Sequence, residues 1–261
     1  MAEPFLLAVR EAHKAFGGVS AVAGVSFGLR TGEVRALIGP NGAGKTTLFN
    51  LLSGQLRPDA GTVAFRGEAI HHLSAARIWR RGISRTFQVP AIFRSLTLLE
   101  NVRAAVLSWR RRAGSLLARA TASGGAEALG LLEEVGLAPQ AGRPSAALSA
   151  ADLKRLELAI ALANTPALLL LDEPTAGMAP AERGALMALV AGLVRERRLT
   201  VLFTEHDMDV VFGNADRIMV MHQGRLLAEG PPDAIREDRE VRAVYLTDSW
   251  ASGSQARESR A

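Results

Sequence analysis

A glycine-rich segment, Gly39-Pro-Asn-Gly-Ala-Gly-Lys45-Thr46, fits the spacing G-x-x-x-x-G-K-[ST]. That spacing serves phosphate chemistry. Glycines let successive backbone N–H groups turn inward, and a helix starting near the lysine adds its positive end. Asn41, Gly42, Gly44 and Thr47 complete the cradle. Lys45 would bridge the β- and γ-phosphates of a nucleoside triphosphate, and the Thr46 hydroxyl would hold Mg²⁺. Both flanks the motif requires are present: the apolar run Val34–Ile38 precedes it and a helix-like Thr46–Ser53 follows.

Far downstream, the apolar run 168–171 ends in Asp172-Glu173. A buried strand ending in carboxylates beside a phosphate loop brings Asp172 toward the metal, and Glu173 toward an attacking water as its general base. Alone, such a run is a weak sign; paired with the loop it is strong. Val201-Leu-Phe-Thr204-Glu205-His206 is a third strand-to-turn element. His206 either contacts the γ-phosphate and keeps Glu173 and the water in line, or is an ordinary strand-end histidine. Gln88, in Arg85-Thr-Phe-Gln88, either reaches Mg²⁺ and the water or is a surface polar residue.

The elements that must position these groups have an α/β rhythm. Phe5–Val9, Val25–Leu29 and Thr62–Phe65 read as strands broken by Gly17-Gly18, Thr31-Gly32 and Ala60-Gly61. Between about 90 and 145 the pattern turns helical. Thr97-Leu-Leu-Glu100 is a capping box opening a helix toward Ser108, a small-residue stretch spans 113–125, and a second helix covers Ala126–Val135. From Ser149 a helix to Ala163, a strand Ala167–Leu171, a helix Pro180–Arg197 and a strand Thr200–Thr204 resume the rhythm. Short strands at Asp216–Met221 and Arg225–Ala228 flank Gln223-Gly224, and residues 249–261 read as a disordered tail. No internal repeat is visible.

Composition excludes several classes. The 261 residues contain no cysteine, so a disulfide framework, a thiolate metal site and a cysteine nucleophile are ruled out. A net charge of +5 is a mild lean toward anions, far from a nucleic-acid coat. Although 48% of residues are hydrophobic, no apolar run reaches the roughly 18 residues a membrane span needs. Met1-Ala2-Glu3-Pro4 has no signal-peptide pattern, so a soluble cytoplasmic chain is expected. That composition leaves apolar surface in need of cover.

These elements, in this order, resemble the ATP-binding cassette (ABC) ATPase family over nearly the whole chain. Gly39–Thr46 looks like Walker A, Gln88 like the Q-loop, 168–173 like Walker B and His206 like the switch histidine. Phe16 sits where the family stacks an aromatic on adenine; its alternative is a core strand residue. LIGPNGAGKTTLFN at 37–50, GISRTFQ at 82–88, LENV at 99–102, DEPTAGMAP at 172–180 and EHDM at 205–208 are similar to the branched-chain amino-acid importer subfamily, LivG type. Its relatives serve urea, amides and aromatic acids.

The resemblance implies a P-loop NTPase fold with a RecA-like core, an antiparallel β subdomain and a helical subdomain. The core and β parts would cover about 1–89 and 146–248, and the helical part about 90–145. It further implies binding and hydrolysis of ATP with Mg²⁺, and a peripheral place on the cytoplasmic face of a membrane. Implied partners are a second ATPase subunit, transmembrane permease subunits and, indirectly, a periplasmic or extracellular binding protein; nucleic acid is not among them. Pro90, Ile92, Phe93 and Leu98 would either receive the permease's coupling helix or form plain helical core. Two rivals stay open: a DNA-associated ATPase of the same superfamily, for which the long coiled-coil insertion is missing, and a non-hydrolytic nucleotide-binding module.

Three positions depart from the family. Its signature Leu-Ser-x-Gly-Gln reads Leu148-Ser149-Ala150-Ala151-Asp152 here. Ser149 can still reach the γ-phosphate of a partner's ATP, but Ala in place of Gly is expected to obstruct backbone approach. Asp152 would repel a phosphate charge about 5 Å away by roughly 3 kcal/mol at an effective dielectric of 20. Equally, Ser149 and Asp152 suit a helix cap. Ala179 stands where the subfamily has Asn in the segment crossing the dimer interface. Groups for the chain's own nucleotide are intact and groups for the partner's are altered, so an asymmetric heterodimer is expected.

Overall fold

The computed structural model describes residues 5–86, 92–110 and 124–245. Gln88 and Pro90, most of the stretch 113–125 and the tail from 249 lie outside the described residues.

Val34–Ile38 (β3) is buried at all five positions, as an apolar run with parallel partners on both sides must be. Ile83–Arg85 (β6), Leu168–Asp172 (β7) and Thr200–Thr204 (β8) lie parallel to it, as does Arg217–His222 (β9). Arg225–Gly230 (β10) pairs antiparallel with β9, giving the order β10-β9-β3-β8-β7-β6. The turns after β3, β7 and β8 therefore emerge at one edge, the carboxyl end where α/β sheets bind ligands.

Side chains alternate between the sheet's two faces. Leu37, Leu168, Leu170 and Leu202 point to one core with the helix Lys45–Leu52 (α1). Beyond α1, the same core is closed by an antiparallel sheet of Leu7–Phe16 (β1), Val19–Leu29 (β2), Ala60–Phe65 (β4) and Glu68–Ala69 (β5). One helix is thus packed between two sheets. Its Leu48, Phe49 and Leu52 have no exposed surface.

The opposite face, with Ala36, Ile38, Leu169, Leu171 and Phe203, is covered by later helices of the chain. Among them are Leu98–Trp109 (α3), Gly125–Glu134 (α4), Ala150–Leu162 (α5), Pro180–Arg197 (α6) and Met208–Asn214 (α7); Ala75–Arg80 (α2) leads into β6. Pro232–Glu237 (α8) and Arg239–Tyr245 (α9) close the chain. The capping box at α3 forms as expected: Glu100 N–H donates to Thr97 Oγ1, and the Glu100 carboxylate accepts from Thr97 N–H. Leu98, grouped by sequence with a surface groove, is fully buried in this core, while Phe93 is 62% exposed.

Candidate nucleotide site

The loop between β3 and α1 depends on its glycines for room as well as for conformation. Gly44 caps α1 at φ 103°, and a Cβ there would stand 2.1 Å from the Ala21 carbonyl. No side chain caps α1, so its first N–H groups face outward. The turn Gln223-Gly224 holds the loop in place: Gly224 N–H donates to Ala43 O, and Ala23 N–H donates to Gly224 O. This staple also ties the loop to β2. Phe16, at the tip of the β1–β2 hairpin, is 47% exposed with the Lys14 ammonium 5.6 Å from its ring centre. The buried-strand alternative for Phe16 is therefore excluded.

Lys45 is buried and donates to Gly39 O at 2.6 Å and Pro40 O at 3.1 Å. Burial pushes its pKa below the ordinary lysine value, and the nearby Glu173 and Asp172 charges oppose that shift. Thr46, Asn41 and Gly42 are exposed around it, and Thr47 is half-buried.

Asp172 ends β7 and is 7% exposed. Its Oδ2 accepts from an Arg85 guanidinium N–H at 2.9 Å, and its Oδ1 accepts from the Thr204 hydroxyl at 2.9 Å. Arg85 also donates to Asn50 Oδ1 at 2.6 Å and Ser53 Oγ at 3.1 Å, linking β6, β7 and α1. Neither Arg85 nor Thr204 had been singled out from sequence.

The chain turns sharply at Glu173, which takes φ 49°, a left-handed conformation costing about 1–2 kcal/mol for a non-glycine residue. Thr204 supports that turn, accepting Glu173 N–H on its hydroxyl at 3.1 Å and on its carbonyl at 3.2 Å. The Glu173 carboxylate then meets His206, with Oε1 3.1 Å from Nε2. Glu205 is a further residue that sequence reasoning missed. Buried at 4% exposure, it accepts from Thr175 N–H and hydroxyl at 2.8 and 2.7 Å through Oε1, and from His206 N–H at 3.2 Å through Oε2. The loops after β7 and β8 are thereby pinned together.

So the structure brings Lys45, Thr46, Asp172, Glu173 and His206 to one sheet edge. Thr46 and Asp172 offer hard oxygen donors, the kind Mg²⁺ takes. Among the described residues no cluster of three or more His, Cys, Asp or Glu forms a cage. That donor set suits an ion whose remaining ligands are phosphates and water.

Comparison with known proteins agrees with this geometry. An ABC transporter family model matches residues 22–176, well over half the chain. The chain belongs to the ABC transporter family. A second model, of branched-chain amino acid ATP-binding cassette transporters, matches 225–246. The chain is 41% identical to the high-affinity branched-chain amino acid transport ATP-binding protein LivG of Salmonella typhimurium over 256 residues, covering 95% of this chain and 100% of the relative. It is 40% identical to BraF of Pseudomonas aeruginosa, covering 90% and 94%. A structure of the ADP conformation of an ATP-binding cassette of an ABC transporter superposes with a TM-score of 0.84 at 30% identity, covering 94% of this chain and 100% of that one.

The cassette's departures can now be placed. Ser149 caps α5, accepting Asp152 N–H at 3.1 Å, so the capping role is real. It shares no hydrogen bond with the Lys45–Glu173 cluster among the described residues. Ala151, 8% exposed, packs with Met178 and Leu186. Asp152 remains partly exposed at the helix start. Ala179 is the cap residue before α6, and its N–H donates to the Glu182 carboxylate at 3.1 Å.

Proposed function

We propose that the chain is the ATP-binding and hydrolysing subunit of an importer for branched-chain or related hydrophobic amino acids. Membership of the ABC family supplies the ATPase, and the names of the relatives supply the cargo class. Among the described residues no helix is long and apolar enough to cross a membrane, so membrane attachment would come through permease partners.

The observation that carries hydrolysis is the Glu173–His206 pair, 3.1 Å apart, beside Lys45 and Asp172. The loop N–H groups and Lys45 bind the β- and γ-phosphates, and Phe16 stacks on the adenine. Thr46 and Asp172, with Gln88 from outside the described residues, would hold Mg²⁺, which supplies charge neutralisation on the phosphates. Glu173 orients the attacking water and takes its proton. His206 keeps the carboxylate aimed, and Glu205 and Thr204 keep both turns in place.

We place residues 90–145 as the helical part that meets the permease, and pair the chain with a second ATPase subunit whose signature clamps this chain's ATP. Ser149 would reach the partner's ATP. Ala151, Asp152 and Ala179 are the features that weaken that second site.

Glu173→Gln in the assembled transporter tests this reading. It is expected to abolish turnover, whereas the corresponding change in the partner subunit leaves most of it. The reverse pattern would place the working site on the partner's nucleotide.

A further inference from the structure

The nucleotide groups occupy the carboxyl end of the parallel sheet. A second cleft, of about 410 Å³, opens at its amino end, where β3 and β9 begin and β10 finishes. That volume falls in the range small-molecule sites occupy. One wall is the β1–β2 ribbon. Leu7, Val9, Phe27 and Leu29 turn into the α1 core, so by strand alternation Ala8, Arg10, Ser26 and Gly28 turn outward. Phe5 lies on this wall. Three of its ring atoms stand 2.5–2.6 Å from where a Cβ on Gly28 would be, near-equal distances that put that point over the face of the ring. Gly28 therefore gives the ring its seat. The rest of Phe5 is open, 48% exposed and lining the cleft.

Around that ring gather Arg10 of β1, Arg30 just past β2, Arg35 of β3 and Arg217 of β9. Arg35 is 3% exposed and fully engaged: its Nε donates to Glu33 Oε1 at 2.7 Å and a terminal nitrogen donates to Glu229 Oε1 at 2.9 Å. Glu229 Oε1 also accepts from Arg217 at 3.2 Å. Both carboxylates are thus spent on Arg35 and Arg217. The side chains of Arg10 and Arg30 have no ion pair or hydrogen bond among the described residues. Four guanidiniums face two carboxylates, and arginine stays charged at any physiological pH. Like charges gathered in one cleft repel, and a bound anion relieves them.

We propose that this cleft binds a small aromatic anion, its ring stacked on Phe5 and its carboxylate or phosphate held by Arg10 and Arg30. Offset stacking on an exposed ring suits a planar ligand, and the guanidinium fork matches either oxyanion. The site is separate from the ATP cradle. The five residues of β3 lie between the two, roughly 16 Å of extended chain. Ligand and nucleotide therefore bind together without competing. Two sources share this chemistry, an aromatic carboxylic acid and a purine mononucleotide.

The test titrates the full chain, saturated with ADP and Mg²⁺, with benzoate, AMP and inorganic phosphate in a calorimeter. Saturable one-to-one binding of benzoate or AMP is expected, and the tighter of the two names the source. Phosphate, lacking a ring, should bind about fivefold more weakly. Arg10→Ala or Arg30→Ala should weaken every probe about tenfold or more. Phe5→Ala should weaken benzoate and AMP about fivefold and leave phosphate unchanged. Phe5→Leu keeps Gly28 covered but removes the ring, and should show the same selective loss. ADP affinity should be unchanged in all four variants, which confirms that they fold. No saturable binding to the parent chain overturns the proposal, as does binding that survives both arginine changes. Loss of the probe on raising ADP would place it in the nucleotide cradle and also overturn the site. Equal affinity for phosphate and the ring-bearing probes, unmoved by Phe5→Leu, would reduce Phe5 to a cover for Gly28 and refute the stacking.

Discussion

Replacing Thr204 with valine removes a single buried hydroxyl that holds two functional residues at once. Thr204 is 1% exposed, and valine matches its shape. The hydroxyl donates to Asp172 Oδ1 at 2.9 Å, a bond to an acidic group worth about 1.5–3 kcal/mol. Its second bond, from Glu173 N–H, counts for less, because the Thr204 carbonyl already accepts that N–H at 3.2 Å. The added methyl recovers about 0.8 kcal/mol of burial. The net loss is about 1–2 kcal/mol, or roughly 2–8 °C in thermal midpoint for a chain of this size. Turnover should fall by about tenfold or more, because Glu173 must be aimed to within a fraction of an ångström. ATP affinity should hold, since the phosphate loop is untouched. Calorimetry on the chain, nucleotide competition binding and ATPase of the reconstituted transporter measure these separately. A lowered midpoint with full turnover would refute the positioning argument, and an unchanged midpoint would refute the energetic one.

Arg85→Met strands the buried Asp172 carboxylate, and should cost about 3–5 kcal/mol in urea unfolding; adding Asp172→Asn should recover part of it, and strict additivity would argue against a direct coupling. Lys45 discharges at lower pH than an ordinary lysine, so ATP affinity should fall with rising pH before an ordinary lysine would lose its proton; Lys45→Met should bind weakly with no such slope. Ala151→Gly empties the contact with Met178 and Leu186 and places glycine in the first turn of α5. It should lower stability by about 1–2 kcal/mol, read as a lower thermal midpoint of the chain.

The phosphate loop was legible because one short segment carries its glycines, its lysine and both flanking elements. Asp172 and Glu173 were legible because a leucine run announces the strand that delivers them. Arg85, Thr204 and Glu205 were not, because their bonds join residues 87, 32 and 30 positions apart, and no local spacing encodes such pairs. The expected strands Phe5–Val9 and Val25–Leu29 overlap only the apolar ends of longer ones, Leu7–Phe16 and Val19–Leu29, and the first begins two residues later than expected. Their remaining lengths are half-exposed and kinked by register shifts, so alternation fails there.

α1 has a sheet on either side of it. Rolling or sliding that helix would break its packing against both sheets at once, so it is the stationary reference of the molecule. Whatever travels when phosphate leaves must be segments with one free side, such as α3 and α4. Motion is thereby channelled away from the place where the nucleotide is gripped, and a force generated at the sheet edge has a fixed abutment to push against.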